Sequence, residues 1–323
     1  MKKITLLLIL LGSLVFGSAA ISFAQVAATI KMNPKNPEPK SSVTLTFESF
    51  SFNASTAMIS WSVNGKKVLE GQGQTSLTLK TGAVGDNVSV IVNVSTTNGF
   101  NVSQSIEVTP SSVILLYESP KSYVPLLYEG RSLPGEGALI RVSALPSVGD
   151  EGRLVDPSQL SYSWYVNDTL FKTASGLGRQ SVLIRLDYLQ NKNDIKVVVR
   201  SPNGNFAEKS ISVYTHALMP ILYTYDTVLG VDFTRAVEKR FETVKDFTFS
   251  LQPFYVSDED TKRASYVWYL DGLPTTPLGG RLLALQPKEN SYGTKMLSID
   301  VYGTDKRLQK ANVKTELIFD TRK

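Results

Sequence analysis

The chain contains no cysteine. This excludes disulfide bonds and thiolate metal sites, so every core must hold together without covalent staples. It also excludes a lipid anchor built on a cysteine behind an export signal. Histidine occurs once, as His216, so imidazole chemistry cannot be spread over a multi-histidine site. Charge of one sign is not concentrated anywhere. The 34 Lys and Arg are interspersed with 29 Asp and Glu, for a net charge of +5. Lys2 and Lys3 supply two of these charges, which leaves +3 on the remainder. Nucleic-acid binding needs a clustered basic patch, and nucleic acid is not an expected partner. Helical periodicity is scarce. Residues 233–244 alone read as a short helix, a connecting excursion within the last third of the chain.

The N-terminus has a specific order. Lys2-Lys3 precedes an apolar run over residues 4–16, followed by the small residues Gly17-Ser18-Ala19-Ala20 and then Ser22-Phe23-Ala24. A positive start, an apolar middle and small residues before a cut are the marks of a secretory signal. Residues 1–24 are expected to be that signal, with cleavage after Ala24. The apolar run is shorter than the roughly 18 residues a membrane span requires. Membrane contact is therefore expected only through this segment, and only if it stays uncleaved. The expected location is outside the cytoplasm: secreted, cell-surface or cell-envelope.

Three tryptophans organise the rest. They stand in Ser60-Trp61-Ser62-Val63-Asn64-Gly65, Ser163-Trp164-Tyr165-Val166-Asn167-Asp168 and Val267-Trp268-Tyr269-Leu270-Asp271-Gly272, at spacings of 103 and 104 residues. A fixed period of this kind marks a repeated unit. Each copy reads as a strand entering a tight turn, with β-branched and aromatic residues followed by Asn or Asp and then Gly or Asp. Residues 43–47, 140–144 and 247–251 read as strands upstream of the tryptophans. Residues 76–79, 182–186 and 281–285, and then 88–94, 195–199 and 297–301, read as strands downstream. Most alternate with period two, as half-buried strands do. Gly71-Gln72-Gly73, Gly176-Leu177-Gly178 and Gly279-Gly280 punctuate the same place in each copy.

About one hundred residues with a central tryptophan strand point to an all-β chain of three tandem immunoglobulin-like β-sandwich domains. The expected boundaries are 25–110, 111–216 and 217–323, the last one immunoglobulin-like or PKD-like. Trp61, Trp164 and Trp268 are the expected structural core residues, with Val and Ile filling the place a disulfide often takes in this fold.

Units two and three open alike, with Val113-Ile114-Leu115-Leu116-Tyr117-Glu118 and Pro220-Ile221-Leu222-Tyr223-Thr224-Tyr225. With Tyr123-Val124-Pro125, the run from Asp156 to Trp164, and Leu229-Gly230-Val231, they resemble exported tandem immunoglobulin-like or PKD-like proteins of candidate-phylum bacteria. The resemblance runs along essentially all of the chain behind the signal. It implies a secreted or cell-surface role in adhesion or envelope assembly, and it carries no catalytic residues.

Candidate chemistry is thin. His216 lies at the seam between units two and three without a surrounding catalytic motif. Asp258 and Asp260, in Ser257-Asp258-Glu259-Asp260, are the candidate ligands if a calcium ion binds, although the run lacks the loop spacing of a calcium site. Gly149-Asp150-Glu151-Gly152 is a second acidic turn. Tyr117, Tyr123, Tyr128, Tyr223 and Tyr225 are candidate exposed interface aromatics, because tyrosine adds contact area with little side-chain freedom to lose. The expected function is a non-catalytic extracellular structural or interaction protein whose partner is a protein or a glycan. A carbohydrate-binding module using the exposed aromatics is the alternative, and a hydrolase with a carboxylate pair is the least supported.

Overall fold

The computed structural model describes residues 28–322 apart from 127, 151–152, 257–262 and 304–308. The N-terminal signal expected over residues 1–24 lies outside these residues. The described residues divide into two compact units, one within 28–31, 45–77 and 90–106 and one within 32–44, 78–89 and 107–322.

The chain is built of β-strands and short turns, and its sheets are those of immunoglobulin-like sandwiches. Around Trp61 the strands are β1 (Ala28–Asn33), β2 (Ser42–Ser49), β3 (Met58–Val63), β4 (Lys66–Gln72), β5 (Ser76–Lys80), β6 (Val88–Ser95) and β7 (Asn101–Val108), in sheets of order β1-β2-β5 and β4-β3-β6-β7. Alternation decides what is buried. Val90, Val92 and Val94 of β6 are inside, as are Ile59 and Trp61 of β3.

Around Trp164 lie β8 (Ser112–Glu118), β9 (Leu139–Ser147), the short hairpin β10 (Gly149–Asp150) and β11 (Arg153–Leu154), β12 (Ser161–Val166), β13 (Thr169–Leu170), β14 (Gly176–Leu177), β15 (Ser181–Arg185), β16 (Lys192–Arg200) and β17 (Phe206–Tyr214). One sheet runs β15-β9-β8. The other runs β13-β12-β16-β17, with β14 also on β12. Between them Trp164 and Tyr162 pack with Ile140, Ile184, Leu186, Ile195 and Val213 in one core.

Around Trp268 lie β18 (Met219–Asp226), β19 (Gly230–Ala236), β20 (Arg240–Thr243), β21 (Phe247–Phe254), β22 (Ser265–Leu270), β23 (Leu273–Thr275), β24 (Leu282–Leu285), β25 (Tyr292–Tyr302) and β26 (Lys310–Asp320). The sheets are β19-β18-β21-β24 and β20-β26-β25-β22-β23. A separate core gathers Trp268, Phe249, Leu251, Leu283, Ile299 and Leu317.

The helix expected over residues 233–244 is not formed. That stretch supplies β19 and β20, the latter running parallel to β26. The four-residue spacing of Phe233, Val237 and Phe241 imitates a helical face. Pairing with β18 and β26 prevails, since it places Phe241 against Phe247 and Phe249 at ring distances of 5.2 and 5.0 Å. Short apolar runs are ambiguous in this way until partners are known.

The three tryptophan strands share one local design. Each enters a two-residue turn whose residues have positive φ: Asn64 (49°) and Gly65 (78°), Asn167 (47°) and Asp168 (61°), Asp271 (49°) and Gly272 (76°). These are the conformations of a primed hairpin turn, which Asn, Asp and Gly adopt most readily. Each indole then spans away from its own strand. Trp61 Nε1 donates to Gln74 O at 2.8 Å, Trp164 Nε1 to Arg179 O at 2.8 Å, and Trp268 Nε1 to Gly280 O at 2.9 Å. Each accepting carbonyl lies two residues before the strand β5, β15 or β24. The indole thereby satisfies its own buried donor and fixes the entry of that strand.

Candidate functional site

A constellation of polar and aromatic groups lies where the second and third sandwiches meet. Between β8 and β9 the chain makes an excursion over residues 119–138, and the described part of it lays aromatic and backbone contacts on the third sandwich, including a hydrogen bond from Gln309 Nε2 to Glu136 O at 3.5 Å. Tyr123 anchors the first. Its amide donates to Val256 O at 2.7 Å, and its phenol donates to Gln252 Oε1 at 2.6 Å while accepting from Arg281 Nη1 at 2.6 Å. The Arg281 guanidinium also lies 5.2 Å from the centre of the Tyr123 ring. Gln252 is buried, and its amide nitrogen donates to Ser250 Oγ at 2.7 Å. The Tyr123 hydroxyl thus has both a donor and an acceptor, as buried polar groups require.

Tyr128 makes the second contact. Its ring meets Phe254 edge-on at 5.1 Å and Phe233 at 5.9 Å, and Tyr223 in turn meets Phe233 at 5.1 Å. Edge-to-face arrangements at such distances are favoured by the ring quadrupoles. Burial pushes the Tyr223 phenol up from its ordinary value, with a smaller contribution from Tyr128.

The third contact surrounds His216. Its backbone bridges in parallel to Gly135, with the His216 amide donating to Pro134 O at 3.1 Å and the Glu136 amide to His216 O at 3.3 Å. The imidazole stacks on Tyr255 at 4.7 Å between centroids. Tyr255 itself has a φ of 64°, a conformation that costs a non-glycine residue energy and persists only where surroundings hold it. Among the described residues the ring contact of His216 is this stacking on Tyr255. The run from Leu133 to Gly137 forms part of this seam, and a Cβ on Gly135 would be driven into the Tyr255 carbonyl.

These positions correct the reading of the tyrosines as exposed. Tyr223 is buried, and the other four are half-buried. Tyr117 packs on the second core with the Arg131 guanidinium 4.7 Å from its ring centre. Tyr123 and Tyr128 are taken up in the seam. Tyr128 and Tyr225, with Phe233, line an open groove of about 970 Å³. Strand alternation alone does not say whether a tyrosine faces water or a neighbouring sandwich.

Trp61, Trp164 and Trp268 are 0%, 0% and 1% exposed. Asp258 and Asp260 lie outside the described residues. Asp150 accepts hydrogen bonds from the Asn203 amide at 3.3 Å and from Asn205 Nδ2 at 3.3 Å. Among the described residues no three His, Cys, Asp or Glu side chains converge for a metal ion. Sequence reasoning passed over Arg281, Gln252 and Tyr255. No local pattern marks them, since their partners stand up to 158 residues away in the chain.

No protein-family model matches the chain, and no curated protein matches it. Solved structures resemble it loosely. The fibronectin(III)-like modules of CbhA from Clostridium thermocellum match at 11% identity and a TM-score of 0.30, covering 58% of this chain and 94% of that one. Three N-terminal domains of the highly immunogenic outer capsid protein of bacteriophage RB49 match at 14% identity and a TM-score of 0.27, covering 92% and 100%. A bacterial ice-binding adhesin matches at 11% identity and a TM-score of 0.24, covering 92% and 99%. Likeness at this level carries nothing about activity. The class of protein, an all-β chain of immunoglobulin-like sandwiches, rests on the strands and sheets themselves.

Proposed function

We propose that this chain is a non-catalytic, exported interaction protein that works at the cell surface or in the envelope, in adhesion or assembly. Its modules would be residues 25–110, 111–216 and 217–323 behind a signal over residues 1–24, as in the exported tandem immunoglobulin-like and PKD-like proteins it resembles. The observation that supports this reading is the seam of Tyr123, Gln252 and Arg281. Side chains that could have formed a binding or catalytic cleft are spent on holding two sandwiches in one fixed relation. Such a scaffold presents loops and sheet edges rather than processing a substrate. The partner is an extracellular protein or a glycan.

The test is antibody labelling of intact cells, combined with a deletion strain scored for attachment and envelope integrity. Surface labelling and a defect in either property support the proposal. A chain retained in the cytoplasm, or a deletion strain unchanged in both, overturns it.

A second reading, carbohydrate binding, is favoured by the groove that Tyr128, Tyr225 and Phe233 line. Rings at the wall of an open groove suit stacking on sugar faces. A glycan array with the full chain decides it: binding that is lost in Tyr225→Ala supports this reading, and a blank array removes it.

A further inference from the structure

The third sandwich has two poles. The seam covers one, at the ends of β21 and the start of β24. At the other pole a cavity of about 400 Å³ opens between the two sheets, within the range of small-molecule sites. Its wall is apolar, built from Phe247, Leu270, Leu285, Leu317 and Phe319. Lys288, Tyr292 and Lys295 are exposed and stand at its mouth.

The equivalent pole of the second sandwich shows that the fold does not demand such a cavity. Trp268 lies opposite Ile299 as Trp164 lies opposite Val197, and Ile299 lies opposite Val313 as Val197 lies opposite Lys209. The Leu251 amide donates to Arg281 O as the Ala144 amide donates to Gln180 O. By these registers Phe247, Leu285, Pro287 and Leu317 stand where the second sandwich has Ile140, Ile184, Leu186 and Val213. Those four are 0%, 4%, 2% and 0% exposed, whereas of their counterparts Leu317 is buried and Phe247, Leu285 and Pro287 are half-buried. The Leu186 amide closes its pole by donating to Ala138 O at 2.9 Å, whereas Pro287 has no amide hydrogen to donate. Buried Asn193 is replaced by exposed Lys295. Unlike the second sandwich, the third thus keeps an apolar entry with cations at its rim.

Among the described residues, two of the cations at that rim are neutralised by carboxylates and one is not. Lys295 is paired with Asp271 at 2.5 Å, and Arg322, 3.9 Å from the centre of the Tyr292 ring, is paired with Asp320 at 2.7 Å. Lys288 has no carboxylate partner among the described residues. Glu289 and Asp246 line an adjoining hollow together with Lys245 rather than this cavity.

We infer that this pole is a binding site for a straight-chain carboxylate, a fatty acid whose alkyl chain enters between the sheets and whose carboxylate meets Lys288. The apolar wall accounts for the chain, and the unpaired ammonium accounts for the head group. This site is separate from the seam and from the groove beside Tyr225, and it does not depend on what the chain adheres to.

The experiment is calorimetric titration of the full chain with hexanoate, octanoate and decanoate, each kept below its micelle concentration. Each added methylene is expected to tighten binding about fourfold, the ratio that corresponds to ~0.8 kcal/mol. Lys288→Glu, a change at an exposed position, is expected to weaken decanoate at least tenfold and decanol less than twofold. Amide shifts in the unaltered chain, read by nuclear magnetic resonance, are expected to map decanoate to Ser291, Tyr292, Lys295 and Leu317. Absence of binding, affinity independent of chain length, equal losses for acid and alcohol, or shifts confined to another part of the chain would each overturn the assignment.

Discussion

Arg281 both donates to the Tyr123 hydroxyl at 2.6 Å and holds its guanidinium 5.2 Å from the centre of the same ring. One residue of the second sandwich's excursion thereby meets the third sandwich through its edge and its face. Tyr123→Phe keeps the ring and removes both hydroxyl bonds. It leaves the buried Gln252 acceptor without its donor, a loss of about 1–3 kcal/mol. Urea titration of the full chain is expected to show that loss. An unchanged midpoint would mean that the hydroxyl contributes nothing to the seam.

Gly135 tests the same seam by shape. A methyl there collides with the Tyr255 carbonyl, a backbone atom that cannot rotate away. Gly135→Ala is expected to leave both cores folded by circular dichroism while speeding hydrogen exchange at the Tyr123 amide, which donates to Val256 O. Exchange as slow as in the unaltered chain would show that the seam absorbs the methyl.

The indole of Trp164 fills a core of its own and donates to Arg179 O. Trp164→Ala is expected to cost about 3–5 kcal/mol, against a typical domain stability of roughly 5–15 kcal/mol. Trp164→Phe keeps most of the volume and loses the donor, so it is expected to cost less, about 1–3 kcal/mol. Denaturation followed by far-ultraviolet circular dichroism ranks the two. A phenylalanine variant as damaged as the alanine one would put the weight on the hydrogen bond rather than on packing.

Two groups of the third sandwich set opposite limits in pH. Burial pushes the Tyr266 phenol up to about 12 from an ordinary 10.0, with Arg281 pulling the other way. The folded chain then keeps a proton the unfolded chain has released, so this contribution is whole below pH 10 and is lost as pH rises from 10 to about 12. Asp271 behaves in the reverse sense. The hydrogen bond from Lys295, and then that from the Met296 amide, hold its carboxyl below the usual carboxylate value of 3.8. Its contribution is present above that value and fades as pH falls through the lowered one. Thermal melts across pH are expected to show a shallower alkaline limb in Tyr266→Phe and a shallower acid limb in Asp271→Asn. The turn position itself tolerates asparagine, as Asn64 and Asn167 occupy it in the other two copies. Limbs identical to those of the unaltered chain would assign the titration to other groups.

Much of the secondary structure is legible because it is written in neighbours. Alternating β-branched residues around Trp61, Trp164 and Trp268, followed by Asn or Asp with Gly or Asp, specify a strand and its turn within a dozen residues. The same local reading misplaces residues 233–244, where the spacing of Phe233, Val237 and Phe241 suits a helix until β18 and β26 offer pairing partners. It also turns Tyr123 and Tyr128 toward solvent, since nothing nearby reveals a second sandwich waiting for them.

What the amino-acid order settles by itself, then, is the strand, the turn and the hundred-residue period, together with the absence of disulfides, because each depends on residues close in the chain or on composition. Which sheet edges pair, which tyrosines turn inward, and which pole stays open were decided only in three dimensions. Tyr123 meets Gln252 across 129 residues and Arg281 across 158. Contacts of that reach follow from how whole sandwiches pack, and no local preference encodes them.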